Sequence, residues 1–213
     1  MTLCLLTICL ACSALLAVIY AVTKEPIAKA EKAKNDAAIK EVLPGGAVSF
    51  DEEATISFEG KVYKYVIARG ADGKTVVGYA IDVEPVGFGG PIKIKVGFNA
   101  EGVIWNTKVL SQAETPGLGA KCTEPAFANQ FKQFNPAEKT LKVTKDGGHV
   151  NAITASTITS RAYADGLATA VKVYQAISQI PDPEADDVTP SEEPSVTPSE
   201  EPSVIPSEVE ESK

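Results

Sequence analysis

Asn151-Ala152-Ile153-Thr154-Ala155-Ser156-Thr157-Ile158-Thr159-Ser160-Arg161 runs directly into the last regular element of the chain. From about residue 158 to 178, Tyr163, Leu167, Ala170, Val171, Tyr174 and Ile177 fall three and four apart, which predicts a helix with one apolar face. Hydroxyl side chains suit a helix start because they accept hydrogen bonds from its free N–H groups. Capping needs one hydroxyl, whereas residues 154–160 carry five in seven positions. A helix N-terminus also favours a phosphate, through those N–H groups and the positive end of the dipole. On residue chemistry alone, this is an anion-friendly helix start.

Working outward, Glu114-Thr115-Pro116-Gly117-Leu118-Gly119-Ala120-Lys121 directly follows a strand-like run. Pro116-Gly117 sets a turn, and Gly117 and Gly119 would let backbone approach a ligand closely. Lys121 could balance a phosphate charge. Read alone, a tight structural loop explains the segment equally well. Upstream, short strand-like runs cover residues 62–68, 75–83, 92–98 and 103–110, punctuated by hairpin turns at 71–74 and 99–102. Residues 124–131 read as a short helix. Antiparallel strands with a few helices make an α+β domain.

Residues 3–22 form an uncharged apolar run of twenty residues, about 30 Å as a helix and so long enough to span a bilayer. Only Met1 and Thr2 precede it, which leaves no basic segment of the kind a cleaved signal peptide carries. The reading is an uncleaved anchor at 1–23, a helical linker at 24–46 rich in Ala, Lys and Glu, and a folded domain at 47–180. Lys24, Lys29, Lys32 and Lys34 follow the span, so the positive-inside rule leans toward a cytoplasmic body.

The net charge of -8 is unevenly placed. Residues 182–213 hold eleven acids and one lysine, which leaves about +2 for everything before them. Val188-Thr189-Pro190-Ser191-Glu192-Glu193-Pro194-Ser195 recurs at residues 196–203, so 181–213 reads as a disordered acidic Pro/Ser/Glu tail. A near-neutral body gives no footprint for nucleic acid. Cys122 is the one cysteine outside the apolar run and His149 the one histidine. An internal disulfide, a protein-ligated metal centre and a histidine-based triad are thereby disfavoured. Gly87, Gly89 and Gly90 lack the spacing of a dinucleotide fingerprint. Chemistry here would come from an organic cofactor, with no catalytic side chain of the chain's own.

Residues 150–160 resemble the flavinylation motif of FMN-binding domains, whose usual pattern is Asp-x-x-Ser/Thr-Gly-Ala-Thr/Ser. Its final hydroxyl carries FMN as a phosphoester. In that match Thr154 takes the Ser/Thr place and Thr157 the flavin-bearing place. Asn151 stands where Asp is usual, Ala155 for Gly and Ser156 for Ala. The Asp bears on the modifying transferase, so Asn151 touches modification more than fold. Gly87-Phe88-Gly89-Gly90-Pro91-Ile92, Gly102-Val103-Ile104 and Glu114-Thr115-Pro116-Gly117-Leu118-Gly119 are similar, in order and spacing, to the G subunit of the Rnf electron-transport complex. That protein is itself similar to the C subunit of the sodium-pumping NADH:quinone reductase. The span, Thr23-Lys24-Glu25-Pro26-Ile27, a helix and Leu43-Pro44 fit the same layout, so the resemblance covers residues 3–180.

The resemblance implies a membrane-anchored flavoprotein subunit of an ion-translocating oxidoreductase. It would carry electrons between ferredoxin and NAD through covalent FMN and would not catalyse either terminal reaction alone. It implies partner membrane subunits, a flavin transferase for maturation, and a flavin domain outside the cytoplasm. That placement opposes the charge rule and is preferred here. Thr157 would hold the phosphate end, with Thr154, Ser156 and Thr159 beside it. The ring would lie against Glu114, Thr115, Gly117, Leu118, Gly119 and Lys121. The alternatives are a stand-alone extracytoplasmic FMN-binding electron carrier, or a non-redox surface binding module whose hydroxyls only cap a helix.

Overall fold

Helix α1, Thr2–Val42, opens the chain, and the computed structural model describes residues 2–179. The acidic tail expected at 181–213 lies outside the described residues. Helix α1 is long and apolar enough to cross a membrane. No break separates the apolar run from the helix that follows, because Pro26 sits inside one continuous helix. Proline there deprives the Val22 carbonyl of its usual N–H partner. Beyond the apolar run, water can satisfy that carbonyl.

The segment expected as a linker ends as part of the core. Ala38, Ile39, Val42 and the following Leu43 are buried, and the last three pack with Val66, Ala68 and Ala80 of the sheet. The approach is close at Gly97, where an added Cβ would lie 2.0 Å from the Val42 carbonyl oxygen. Only glycine lets the helix end rest on that strand. Lys108 bridges Glu41 at 2.9 Å, and the Asn106 amide donates to the Glu41 carbonyl at 3.1 Å. The Lys34 ammonium donates to the Leu110 carbonyl.

Six strands form one antiparallel sheet: β1 Ser49–Phe50, β2 Ala54–Phe58, β3 Lys61–Arg69, β4 Val76–Val83, β5 Lys93–Asn99 and β6 Ile104–Ser111. The order is β1-β3-β4-β5-β6, and β2 also pairs with β3. The last four strands lie where the sequence places them. β1 and β2 are additions; Asp51-Glu52-Glu53 between them gives that stretch the composition of a loop. Both expected hairpin turns form. The Gly70 amide donates to the Thr75 carbonyl at 2.8 Å, and Asn99 Oδ1 accepts the Val103 amide at 2.9 Å.

The other face of the sheet is covered by the long C-terminal helix, Thr157–Ser178, labelled α3 after the short α2 described next. Tyr163, Leu167, Ala170, Tyr174 and Ile177 are buried against Ile81, Val83, Ile94, Val96 and Phe98. Residues 119–150 wrap one end of this core without long regular elements. The helix expected at 124–131 is a single α-turn, α2, Pro125–Ala128, which tightens into a 3-10 turn, Asn129–Phe131. Pro125 fixes the start, and the tightened turn helps bring Phe131 onto Tyr163 and Phe134. On the α1 face, buried Lys95 bridges Asp82 at 2.6 Å. Burial pushes the Asp82 carboxyl above its ordinary range, and Lys95 opposes that shift.

Candidate functional site at the start of helix α3

Three segments converge on one carboxylate. Glu114 leaves the end of β6 and turns inward, where its side chain is almost fully buried. Its Oε1 accepts the Gly89 amide at 3.0 Å, and its Oε2 accepts the Thr159 hydroxyl at 2.6 Å. The loop at 87–90, the loop at 114–121 and the first turn of α3 are thus held together. Glycine leaves room for the carboxylate on two sides. A Cβ at Gly87 would meet Glu114 Oε1 at 2.2 Å, and one at Gly119 would meet Oε2 at 2.4 Å.

Gly119 is therefore buried against Glu114 and Thr159. Gly117, by contrast, has φ +74 and open space around it, as the Pro116-Gly117 turn requires. The Leu118 and Ala120 amides both donate to the Thr115 carbonyl, which closes the loop. Thr115, Gly117, Leu118 and Lys121 are exposed.

The five hydroxyl residues at 154–160 separate into two groups. Ser160 donates to the Ser156 carbonyl at 2.9 Å and accepts the Ile153 amide at 2.9 Å. Thr159 is committed to Glu114, and Ser156, Thr159 and Ser160 are all buried. Thr154 is exposed and Thr157 half-buried. Among the described residues no partner engages the Thr157 hydroxyl. Thr157 is the first residue of α3, and the N-cap residue Ser156 makes no side-chain cap hydrogen bond. The first-turn N–H groups thus have no capping side chain, the condition in which a helix start attracts an anion.

Ala155 has φ +61, a left-handed conformation that costs an L-residue with a Cβ roughly 1 kcal/mol or more. It occupies the position where the resembling motif has glycine. Ala155→Gly should therefore raise stability by roughly 1 kcal/mol. Thermal unfolding of the full chain in detergent checks this, and an unchanged or lower melting temperature would contradict it. Asn151 is exposed, and its contacts to Gln130 are made by its backbone N–H and carbonyl. Its side chain is thus a surface feature.

Two neighbours have structural roles. His149 Nδ1 accepts the Thr140 amide at 3.1 Å in the turn after Gly147. Arg161 bridges Asp146 through two contacts of 2.7 Å and is directed there. Cys122 is fully buried, and burial, followed by the nearby Glu114 charge, pushes its thiol up to about 11.

Sequence reading does not place the 87–90 loop at the site. The close spacing of Gly87, Gly89 and Gly90 is the available signal, and two of those glycines face Glu114 or its backbone. Each tied segment also exposes a large apolar side chain: Phe88 (69 %), Leu118 (42 %) and Ile158 (55 %). Each of the three is the chain neighbour of a residue that touches Glu114, namely Gly89, Gly119 and Thr159.

Comparison with known proteins places the chain in a family. Residues 87–172 match the FMN-binding domain, and residues 2–42 match the RnfG N-terminal region. The G subunit of the ion-translocating oxidoreductase complex of Methanosarcina acetivorans is 34% identical over 174 residues, covering 77% of this chain and 87% of its own. The G subunit of the proton-translocating ferredoxin:NAD+ oxidoreductase complex of Clostridium ljungdahlii is 30% identical, covering 77% and 84%. The G subunit of the Na+-translocating ferredoxin:NAD+ oxidoreductase complex of Acetobacterium woodii is 38% identical over a shorter stretch, 49% of this chain and 52% of that one. Among solved structures, the C subunit of the Na+-translocating NADH-quinone reductase of Parabacteroides distasonis has the same fold. Its TM-score is 0.53 at 19% identity, over 73% of this chain and 97% of that one.

Proposed function

The chain belongs to the family of G subunits of ion-translocating oxidoreductase complexes, and from that premise we propose that it is the membrane-anchored, FMN-bearing electron carrier of such a complex. The relatives' names point to electron flow between ferredoxin and NAD, coupled to movement of sodium ions or protons. Bound FMN would supply a group that takes up and releases electrons one or two at a time. The protein tethers it, orients it and sets its surroundings.

We infer that Thr157 carries the FMN as a phosphoester. One observation supports this above the others: Thr157 combines an accessible, unengaged hydroxyl with the first position of a helix whose N-cap makes no side-chain bond. Attachment from FAD would join the Thr157 oxygen to the FMN phosphorus, with AMP leaving and the hydroxyl proton released. The uncapped N–H groups would face the phosphate, with Thr154 and Ser156 flanking it. The 114–121 loop, with Leu118 and Lys121, would lie toward the ring. Phe88 and Ile158 add apolar surface of the kind a flat ring prefers.

The direct test is spectroscopic. Full-length protein co-expressed with a flavin transferase should be yellow, bleach on chemical reduction and recover on reoxidation. A colourless preparation would favour a non-redox binding module.

Helix α1 is the single-pass anchor in this reading, and the sheet domain lies outside the cytoplasm, where the transferase can reach Thr157. Because Cys122 is buried, the reporter is Ala71→Cys in the exposed β3–β4 turn, with Cys4, Cys9 and Cys12 replaced by alanine. A membrane-impermeant thiol reagent should label Ala71→Cys in intact cells. Labelling only after lysis, at equal expression, would place the domain in the cytoplasm and remove Thr157 from the transferase.

A further inference from the structure

We propose that Glu114 is the positioning residue of the flavin site, a clamp that fixes the start of α3 and hence the place where Thr157 presents its hydroxyl. The inference rests on the reading of Thr157 as the flavin-bearing residue. Glu114 would act through Thr159 and Gly89.

The clamp is built on both oxygens of one side chain. Oε1 takes the Gly89 N–H at 3.0 Å, and Oε2 takes the Thr159 O–H at 2.6 Å. Both oxygens of the side chain serve as acceptors. No salt bridge engages Glu114 among the described residues, although it is only 5 % exposed. A carboxylate buried with hydrogen bonds alone is costly for a fold that needs only to pack. The two hydrogen bonds it accepts offset that cost, and an apolar side chain in its place would leave the Gly89 N–H and the buried Thr159 O–H without their acceptor.

Each held segment is closed by its own local hydrogen bonds, and among the described residues the bonds that join one segment to another here are those of Glu114. Residues 87–90 and 114–118 are loops, and α3 begins without a side-chain cap. An added Cβ at 87 or 119 would press on a carboxylate oxygen, so a larger residue at either place would have to displace the side chain that Gly89 and Thr159 engage. Thr159 lies two residues after Thr157 in the first turn of α3. Fixing Thr159 therefore fixes the rotation and depth of the turn that carries Thr157. Phe88, beside Gly89, and Leu118, beside Gly119, are set by the same contact.

The test uses the full chain in detergent, with and without co-expressed flavin transferase. Glu114→Ala removes both bonds and Thr159→Val removes one. Glu114→Gln keeps both, because its oxygen can accept from Gly89 while its amide donates to the Thr159 hydroxyl. In the flavin-free protein, Glu114→Ala and Thr159→Val should each speed amide exchange at the hydrogen-bonded amides of Gly87, Gly89 and Ser160 by about tenfold or more, the scale set by losing a bond to a charged acceptor. Exchange in β4 and β5 should stay as in the wild type. In the flavin-bearing protein the same variants should lower loading at Thr157 and speed depolarisation of the flavin fluorescence. Glu114→Gln should stay close to wild type in both measurements. The two damaging changes combined should act as one, since they break a shared contact.

Wild-type exchange and depolarisation in Glu114→Ala and Thr159→Val would overturn the clamp. Faster exchange spread evenly over the sheet would also overturn it, by showing a general loss of stability. Failure of the underlying flavin reading looks different: the wild-type chain itself would carry no flavin, whatever the exchange pattern.

Discussion

Replacing Thr157 with alanine should abolish covalent flavin while leaving the fold intact. In denaturing gels, wild-type protein matured by a flavin transferase should fluoresce, and Thr157→Ala should not. Thr157→Ser should restore the signal, because only the oxygen is needed for a phosphoester. The effect on stability should fall within about 0.5 kcal/mol, as expected for a half-exposed residue whose hydroxyl has no partner. The neighbouring hydroxyls do not substitute for it. Thr159 and Ser160 are buried and hydrogen-bonded, so a transferase reaching for either would first have to open the helix start. Persisting fluorescence in Thr157→Ala would move the attachment to Thr154, the other hydroxyl of the segment that solvent reaches.

The largest effect on stability is expected at Phe131. It is fully buried and stacks on Tyr163 at 5.0 Å between ring centres, with Phe127 edge-on at 5.4 Å. Tyr163 in turn shares a buried hydrogen bond of 2.9 Å with Thr107 of β6. Phe131→Ala empties the junction between α2, α3 and the sheet and should cost about 3–5 kcal/mol. That is a large part of the roughly 5–15 kcal/mol that holds a domain of this kind together. Because Tyr163 lies on the helix that begins at Thr157, the loss also loosens the base of the site. Denaturant titration of the full chain in detergent should show a strongly lowered midpoint. A cost below about 1 kcal/mol would mean that the cluster repacks around the gap.

The parts legible from sequence are those with a period. The 3.6-residue spacing of Tyr163, Leu167, Ala170 and Tyr174 identifies α3 and its buried face, and four strand-like runs identify β3 to β6. Two features escape such reading for physical reasons. Residues 132–150 bury Phe134, Leu141, Val143 and Val150 through isolated bridges and turns, which leave no repeat. The anchor at 1–23 and the helical linker at 24–46 differ in composition, which hides that they form one continuous helix of 41 residues with Pro26 inside it.

The candidate site is half legible. The hydroxyl-rich segment and the 114–121 loop stand out by composition, yet nothing in their spacing says that Glu114 and Thr159 meet across 45 positions. Nor does composition separate the buried Thr159 from the accessible Thr157. Burial does so, because helix geometry turns Thr159 and Ser160 inward and leaves Thr157 at the edge. Ala155 shows the converse. Its sequence gives no hint of a left-handed turn, and only the resembling motif's glycine marks the place.

The most direct measurement of the central claim is to locate the flavin by mass. Trypsin cutting after Lys145 and Arg161 releases residues 146–161, which hold all five hydroxyls of the segment. Tandem mass spectrometry of that peptide, from protein matured with a flavin transferase, should find it heavier by one FMN less water. The fragment ions should place the added mass on Thr157. An unmodified peptide, or the added mass on Thr154, Ser156, Thr159 or Ser160, would contradict the account.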